Sequence, residues 1–438
     1  MAPSRRVRRR RRQVAGLGVL LILLVAIVLI LNTSGSGRRS AARTTPAHEG
    51  SLAKKSNKGQ PSGSTGHAHE GEASPLDPTW TGDGQPVTLA FGGDVHFEGV
   101  LGQRLSADPA TALDGSVATL LSGADLSMTN FESALTDGGC PEPQPKQYVF
   151  QAPPTAITAF QSAGITLVTE ANNHGEDCGR DGLEQSLAVA NAAHFPIIGI
   201  GQNATQAFAP YRTTIHGQRI AIIAATQVID TDLQTAWTAT TSQPGLASAY
   251  RESELVAAVE AARKTADTVV VYLHWGTEAD DCPNPLQEPL AEALVKAGAD
   301  IVLGTHAHVQ LGAGYLGSAF VDYGLGNLAF YDTTPPETYS GSLVITVTGR
   351  RIDSFTWRPA LIESGLPIPQ SGPDASAAIA RWTGLRSCTN LSAQPGPSTA
   401  SSQTENAPFT GPALGVLSDP RNGSPGTTRK AARATRDS

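Results

Sequence analysis

The sequence predicts an α/β fold with a largely parallel sheet, and three observations carry that prediction. Short apolar or β-branched runs at 87–91, 126–129, 165–168, 268–273 and 301–303 alternate with segments of helical spacing such as 252–264 and 285–298, the pattern of βαβ units. Ligand-type side chains stand at or just past the carboxyl ends of those runs, where such sheets bind their ligands. The 438 residues are 40% hydrophobic and 5% aromatic, with 45 Gly and 30 Pro, which suits a globular α/β body joined to unstructured segments.

The ends of the chain read differently from its middle. Residues 1–12 carry seven Arg and no acid, so the formal net charge of -7 leaves -14 for the remainder. An acidic body argues against nucleic acid as a main partner. The uncharged stretch 14–31 is 18 residues of mostly Leu, Val and Ile; as a helix it would span about 27 Å, close to a bilayer core. A cleaved signal peptide usually has a shorter apolar region, about 7–15 residues, and no Ala-x-Ala site follows closely. The expectation is an uncleaved transmembrane signal anchor, with the basic tip 1–13 in the cytoplasm and everything after Leu31 outside. Localisation is then the cell membrane, single-pass. Residues 32–84 are Ser-, Gly- and Thr-rich and read as a disordered linker, in which His67 and His69 have no fixed partner. The folded domain is expected over 85–365 with a C-terminal extension at 366–390, and 391–438 read as a disordered tail.

The four cysteines, Cys140, Cys178, Cys282 and Cys388, are too far apart for a thiolate zinc site. An even count outside the membrane suggests disulfides. Of three possible pairings, Cys140–Cys178 with Cys282–Cys388 is the one expected.

Taken in order, the run 87–91 leads into Gly92-Gly93-Asp94-Val95-His96, where Asp94 and His96 share the i, i+2 relation of residues on one side of an extended chain. Glu132 comes just past the next run; it reads either as a carboxylate able to bridge two metals or as an acid at a helix N-terminus. The Pro-rich stretch 141–145 and the residues after it up to Pro154 read as a surface loop across the site mouth. After 165–168 comes the densest motif, containing Asn172-Asn173-His174 and Asp177. Adjacent Asn173 and His174 point to different sides, so one can ligate a metal while the other handles a proton; Asp177 could orient the His174 ring. His274 stands just past 268–273, beside Trp275, which reads as core, and Glu278, which could support the site from behind its ligands. The stretch 300–308, Asp-Ile-Val-Leu-Gly-Thr-His-Ala-His, delivers His306 and His308, again i and i+2. Asn327 lies at the polar exit of a later strand, and 342–348 is expected to close the sheet. Seven N/O donors with His174 to spare match the demand of two divalent metals; mixed imidazole and carboxylate ligands suit Mn, Fe or Zn.

Gly-Gly-Asp-Val, Asn-Phe-Glu, Ala-Asn-Asn-His, Gly-x-Gly-x-Asn, His-Trp-Gly-x-Glu, Gly-x-His-x-His-Val-Gln and Tyr-x-Leu-Gly-Asn, in that order over about 86–332, resemble the successive motifs of the CapA family. That family is linked to capsule and poly-γ-glutamate synthesis and is similar to the calcineurin-like metallophosphoesterases. The resemblance implies a metallophosphoesterase-like layered αββα sandwich behind the N-terminal transmembrane helix. It also implies Asp94, His96 and His308 on one metal, Asn173, His274 and His306 on the other, Glu132 bridging, and His174 at the leaving group. His96 matches the Asp-x-His motif of the phosphoesterases, whereas Glu132 stands where those enzymes usually have Asp.

The expected function is a membrane-anchored metal-dependent hydrolase acting on a phosphoester or cell-surface polymer, in the setting of a membrane polymer-synthesis complex. The alternative is a non-catalytic accessory protein that binds or exports an anionic cell-surface polymer.

Overall fold

A computed structural model describes residues 80–331 and 334–396. The expected anchor at 14–31 lies outside these residues; among the described residues no helix is long and apolar enough to cross a membrane.

Two mixed sheets pack face to face. One runs, edge to edge, through Leu366–Pro369, Arg351–Glu363, Tyr339–Thr348, Val87–Val95, Leu126–Phe131, Leu167–Thr169 and Ile197–Ile198. Its last four strands are parallel, and Asn327–Ala329 pairs with the far end of Val87–Val95. The other sheet runs through Ala313–Leu316, Ala319–Asp322, Ile301–His306, Thr268–Trp275, Gln218–Thr226 and Tyr211–Ile215, parallel except for its two edge strands. Alternation along each central strand sends one set of side chains inward and one outward. Val87, Leu89 and Phe91 meet Ile222, Val270, Tyr272 and Leu303 between the sheets. The outward set is buried too, which is why these strands read as continuous apolar runs. Helices Gly99–Ala107, Asp114–Leu121 and Thr155–Ser162 cover the first sheet. Helices Glu252–Arg263 and Gln287–Ala297 cover the second. The layering is therefore αββα.

Three expectations need correction. The first sheet does not close at 342–348 but continues through two more antiparallel strands. Pro359 masks the longer of these in the sequence, since a proline cannot donate to a ladder; in the fold it stands opposite Gly341. The tail does not start at Leu391: that side chain is buried against the second sheet's outer face, and Ser392 exchanges two 2.8 Å backbone bonds with Tyr315. Residues 80–84, read as linker, also join the body, with the Trp80 indole donating to the Gly217 carbonyl at 3.0 Å.

Both expected disulfides are present, Cys140–Cys178 and Cys282–Cys388. The first ties the loop that carries Lys146 and Phe150 to the segment ending the Asn172–Asp177 motif.

Candidate metal centre

The carboxyl ends of the parallel strands of both sheets meet at one edge, and the polar residues there converge. Asp94 ends the central strand of the first sheet and His306 ends Ile301–His306 of the second; the His306 amide donates to Asp94 Oδ2 at 3.1 Å, joining the sheets. Close backbone approach makes this possible. A Cβ on Gly93 would lie 1.7 Å from the Gly326 carbonyl oxygen, and one on Gly304 would strike the Tyr323 carbonyl at 2.2 Å. The Trp275 indole donates to that same carbonyl at 3.0 Å and stacks on Tyr323, so Trp275 belongs to the core.

Two groups of three donors form, each with ligand atoms within 4.8 Å of one another. Asp94, Glu132 and His274 make one, all buried; Glu278, His306 and His308 make the other. Asn173 joins the first through its Oδ1, 2.7 Å from His274 Nε2. The grouping differs from the one implied by the resemblance: His274, with Asn173, stands with Asp94 rather than His306, and His308 stands with His306 rather than Asp94. Glu278 stands among the donors rather than behind them. His96 stands outside both groups: its Nε2 accepts the Tyr331 amide at 3.2 Å, and its ring is packed by Phe330, Tyr331 and Phe150 at centroid distances of 4.0, 4.5 and 5.0 Å. The i, i+2 relation to Asp94 does not bring it in, because the backbone after Val95 leaves the strand. At His306 and His308 the same relation holds in outcome but not in cause. Both residues have positive φ, 92° and 57°, so a bent loop, not an extended one, aims the two rings.

The polar atoms of the donor set fit it to divalent cations. Glu132 is fully buried, and neither of its carboxylate oxygens has a hydrogen bond. His308 Nε2 and His174 Nε2 stand 3.6 and 3.9 Å from Glu132 Oε1. Leaving a buried carboxylate so poorly compensated costs several kcal/mol, and nearby Asp94 raises the cost. Burial first, then the Asp94 charge, pushes the Glu132 carboxyl well above its usual range. Asp94 is raised as well, by burial. His306 Nδ1 is a second buried atom without a partner. Burial, reinforced by His308, brings the His306 imidazole down to about 3, and burial likewise holds His274 well below the ordinary range. The neutral imidazoles of His274 and His306 are in the state that metal ligation requires, and the raised carboxyls would give up their protons on metal binding.

A support network fixes these groups, and most of it leaves no signal in the sequence. Asn130 Nδ2 donates to Asp94 Oδ1 at 2.8 Å, while its Oδ1 accepts from Asn172 Nδ2 at 2.9 Å. Asn172 Oδ1 in turn accepts the His174 amide at 2.9 Å. Asn327 Oδ1 faces His308 Nδ1 at 2.9 Å, and its Nδ2 donates to the Glu337 carbonyl. An amide oxygen can only accept, so His308 donates from Nδ1 and turns its Nε2 toward Glu132. Asp177 holds His174 the same way, Oδ2 to Nδ1 at 2.5 Å. The Lys146 ammonium donates to Asp177 Oδ1 at 2.7 Å and to the Asn173 carbonyl. Phe150 donates its amide to Asp177 at 2.7 Å and stacks on the His174 ring at 4.0 Å. Phe330 packs on His308 at 4.7 Å. The loop expected to cross the mouth thus supplies both the cation behind Asp177 and one wall of the site. Beside it, Lys146, Tyr148, Asn173, His174, Asp230 and Glu278 line a cavity of about 310 Å³.

Fold and site together define an αββα protein whose strand ends carry N/O donor groups that could hold metal. The chain belongs to the bacterial capsule synthesis protein PGA_cap family, whose match covers residues 88–332. It is 31% identical over 253 residues to the capsule biosynthesis protein CapA of Bacillus anthracis, covering 57% of this chain and 61% of that one. It is 27% identical over 245 residues to the PGA biosynthesis protein CapA of Bacillus subtilis, covering 56% and 63%. The chain thus spans about three fifths of the length of these relatives. Likeness to solved structures is weaker. A hypothetical protein from Thermus thermophilus aligns with a TM-score of 0.40 and 15% identity, over 63% of this chain and 100% of that one.

Proposed function

We propose that this protein is a two-metal hydrolase of capsule or poly-γ-glutamate metabolism, acting outside the cytoplasm on a phosphoester or a γ-linked anionic polymer. The observation that carries the reading is Glu132: a fully buried carboxylate with no hydrogen bond, grouped with Asp94 and His274 and flanked by His308 and His174, is a cost that metal binding would offset.

Asp94, Glu132, Asn173 and His274 would hold one cation, and Glu278, His306 and His308 are placed toward the other. Such ions supply Lewis-acid activation of water and neutralise charge developing on the substrate. The remaining steps belong to side chains. Asp177 fixes the His174 tautomer, so Nε2 faces the cluster. From there it can take a proton from the attacking water and pass it to the leaving oxygen. Lys146 holds Asp177 in place, and Asn130 and Asn172 hold Asp94 and the His174 backbone in register. Phe150 and Phe330 keep solvent from the flanks of the two imidazoles. The apolar stretch at 14–31, the basic tip before it and the two disulfides support placement at the outer face of a membrane, near a polymer-synthesis complex.

The test is turnover after reconstitution with Mn, Fe or Zn, measured on phosphodiester substrates and on γ-glutamyl polymer. His174→Ala is expected to lower turnover by about 100-fold or more while metal content stays unchanged. A wild-type protein that loads metal yet cleaves neither substrate class would leave the accessory, polymer-binding role in its place.

A further inference from the structure

The two donor groups differ in exposure. Asp94, Glu132 and His274 are sealed, whereas Glu278 is exposed and His308 half-buried. Glu278 is nevertheless held in place. The chain turns at Gly276 (φ 102°) and Ala279 (φ 59°), and the Ala279 amide donates to the Ala307 carbonyl at 2.9 Å. Ala307 is the residue between His306 and His308, so this bond locks the Glu278 loop to the loop carrying both imidazoles. Two features of that second loop point to a ligand. His306 Nδ1 is buried without a partner, and His308 is oriented by Asn327 to present Nε2. Glu278 also lines the cavity shared with Asn173 and His174, so the second donor group opens onto that space through its carboxylate, whereas the first meets it only through the Asn173 amide and keeps Asp94, Glu132 and His274 buried.

We infer that Glu278 is a direct ligand of the second divalent cation, and that this position is the exchangeable one of the pair, opening onto the cavity beside His174. This rests on the two-metal reading above and assigns its donors. Two imidazoles and one carboxylate at an open edge form a three-donor set with free positions facing solvent. Two buried carboxylates, an imidazole and an amide oxygen form the tighter set. Removing the Glu278 charge therefore weakens one cation and spares the other.

The experiment is a titration of the chelator-stripped full-length protein with Mn²⁺, reading free Mn²⁺ by electron paramagnetic resonance. Wild type should take up two equivalents in two steps. Glu278→Gln should keep the tight equivalent and weaken the second by about tenfold or more, since losing even a partner that only orients a ligand costs about 10–100-fold. Asp280→Asn, a neighbouring exposed carboxylate, should leave both steps as in wild type. Glu278→Gln with two wild-type steps would overturn the assignment of Glu278 alone. Loss of both equivalents in Glu278→Gln would overturn the division into a sealed and an exchangeable position. No uptake by wild type would overturn the two-metal reading itself and this inference with it.

Discussion

Replacing Glu132 by glutamine separates what this residue does for folding from what it does for metal binding. In metal-free protein the carboxylate is fully buried, lacks hydrogen bonds and is opposed by Asp94. With the Glu132 carboxyl pushed well above its usual range, folding at pH 7 must protonate or bury a group that the unfolded chain holds ionised in water, a cost of about 1–3 kcal/mol that glutamine does not carry. The glutamine amide inherits an unsatisfied position worth about 1–3 kcal/mol, but the carboxyl it replaces is equally unsatisfied, so the two largely cancel. A net gain of about 1–2 kcal/mol corresponds to a Tm about 2–6 °C higher in chelator. Wild type should overtake the variant once metal is added. At free Mn²⁺ about 100-fold above Kd, binding contributes about 2.7 kcal/mol to wild type, and the variant, short of a ligand shared by the sealed group, gains much less. Thermal melts with chelator and with Mn²⁺ should therefore show the rank order inverting. A variant that melts well below wild type in chelator, or that gains as much from Mn²⁺, would refute the reasoning and return Glu132 to a structural role.

Other consequences are as definite. Lys146→Met leaves Asp177 buried without its cation and should cost about 3 kcal/mol in denaturant unfolding at pH 7; an unchanged midpoint would mean that the ammonium contributes nothing. Replacing Cys140 and Cys178 by alanine opens a closure of 38 residues, worth about 4 kcal/mol by loop entropy, and should show as a lower midpoint in the oxidised protein. Asp322, away from the cluster, is pushed up to about 8 by burial. It therefore keeps its proton in the folded state between about 4 and 8, where the unfolded chain has lost it. Its contribution is full below pH 4 and falls as pH rises toward 8. Asp322→Asn should flatten the pH dependence of stability in that window; an unchanged profile would contradict the assignment.

The order of ligand-bearing strand ends was legible because two physical constraints coincide there. Parallel strands must be buried on both faces, which writes apolar runs, and their carboxyl ends must carry the polar groups that meet a ligand. Asp94, Glu132, Asn173, His274, His306 and His308 all stand at such ends. The rest was hidden for local reasons. Lys146 lies in a Pro-rich loop, and its partners are 27 and 31 residues away. Asn130 sits inside a buried strand between Thr129 and Phe131, so only its bonds to Asp94 and Asn172 across the sheet reveal its role. Phe150 and Phe330 look like ordinary core aromatics until the His rings they pack on are placed. The strand Arg351–Glu363 alternates partly exposed residues around a proline, which conceals it. His96 and Glu278 exchanged roles relative to expectation because spacing alone cannot report where the chain leaves a strand or turns through positive φ.

The most direct measurement of the proposed two-metal centre is elemental metal analysis of the purified protein beside a Glu132→Ala, His306→Ala double variant. Close to two transition metals per chain are expected in wild type after reconstitution with Mn, Fe and Zn, with their loss in the variant. A wild-type protein that binds no metal under those conditions would contradict the centre, and would put the polymer-binding accessory role in front.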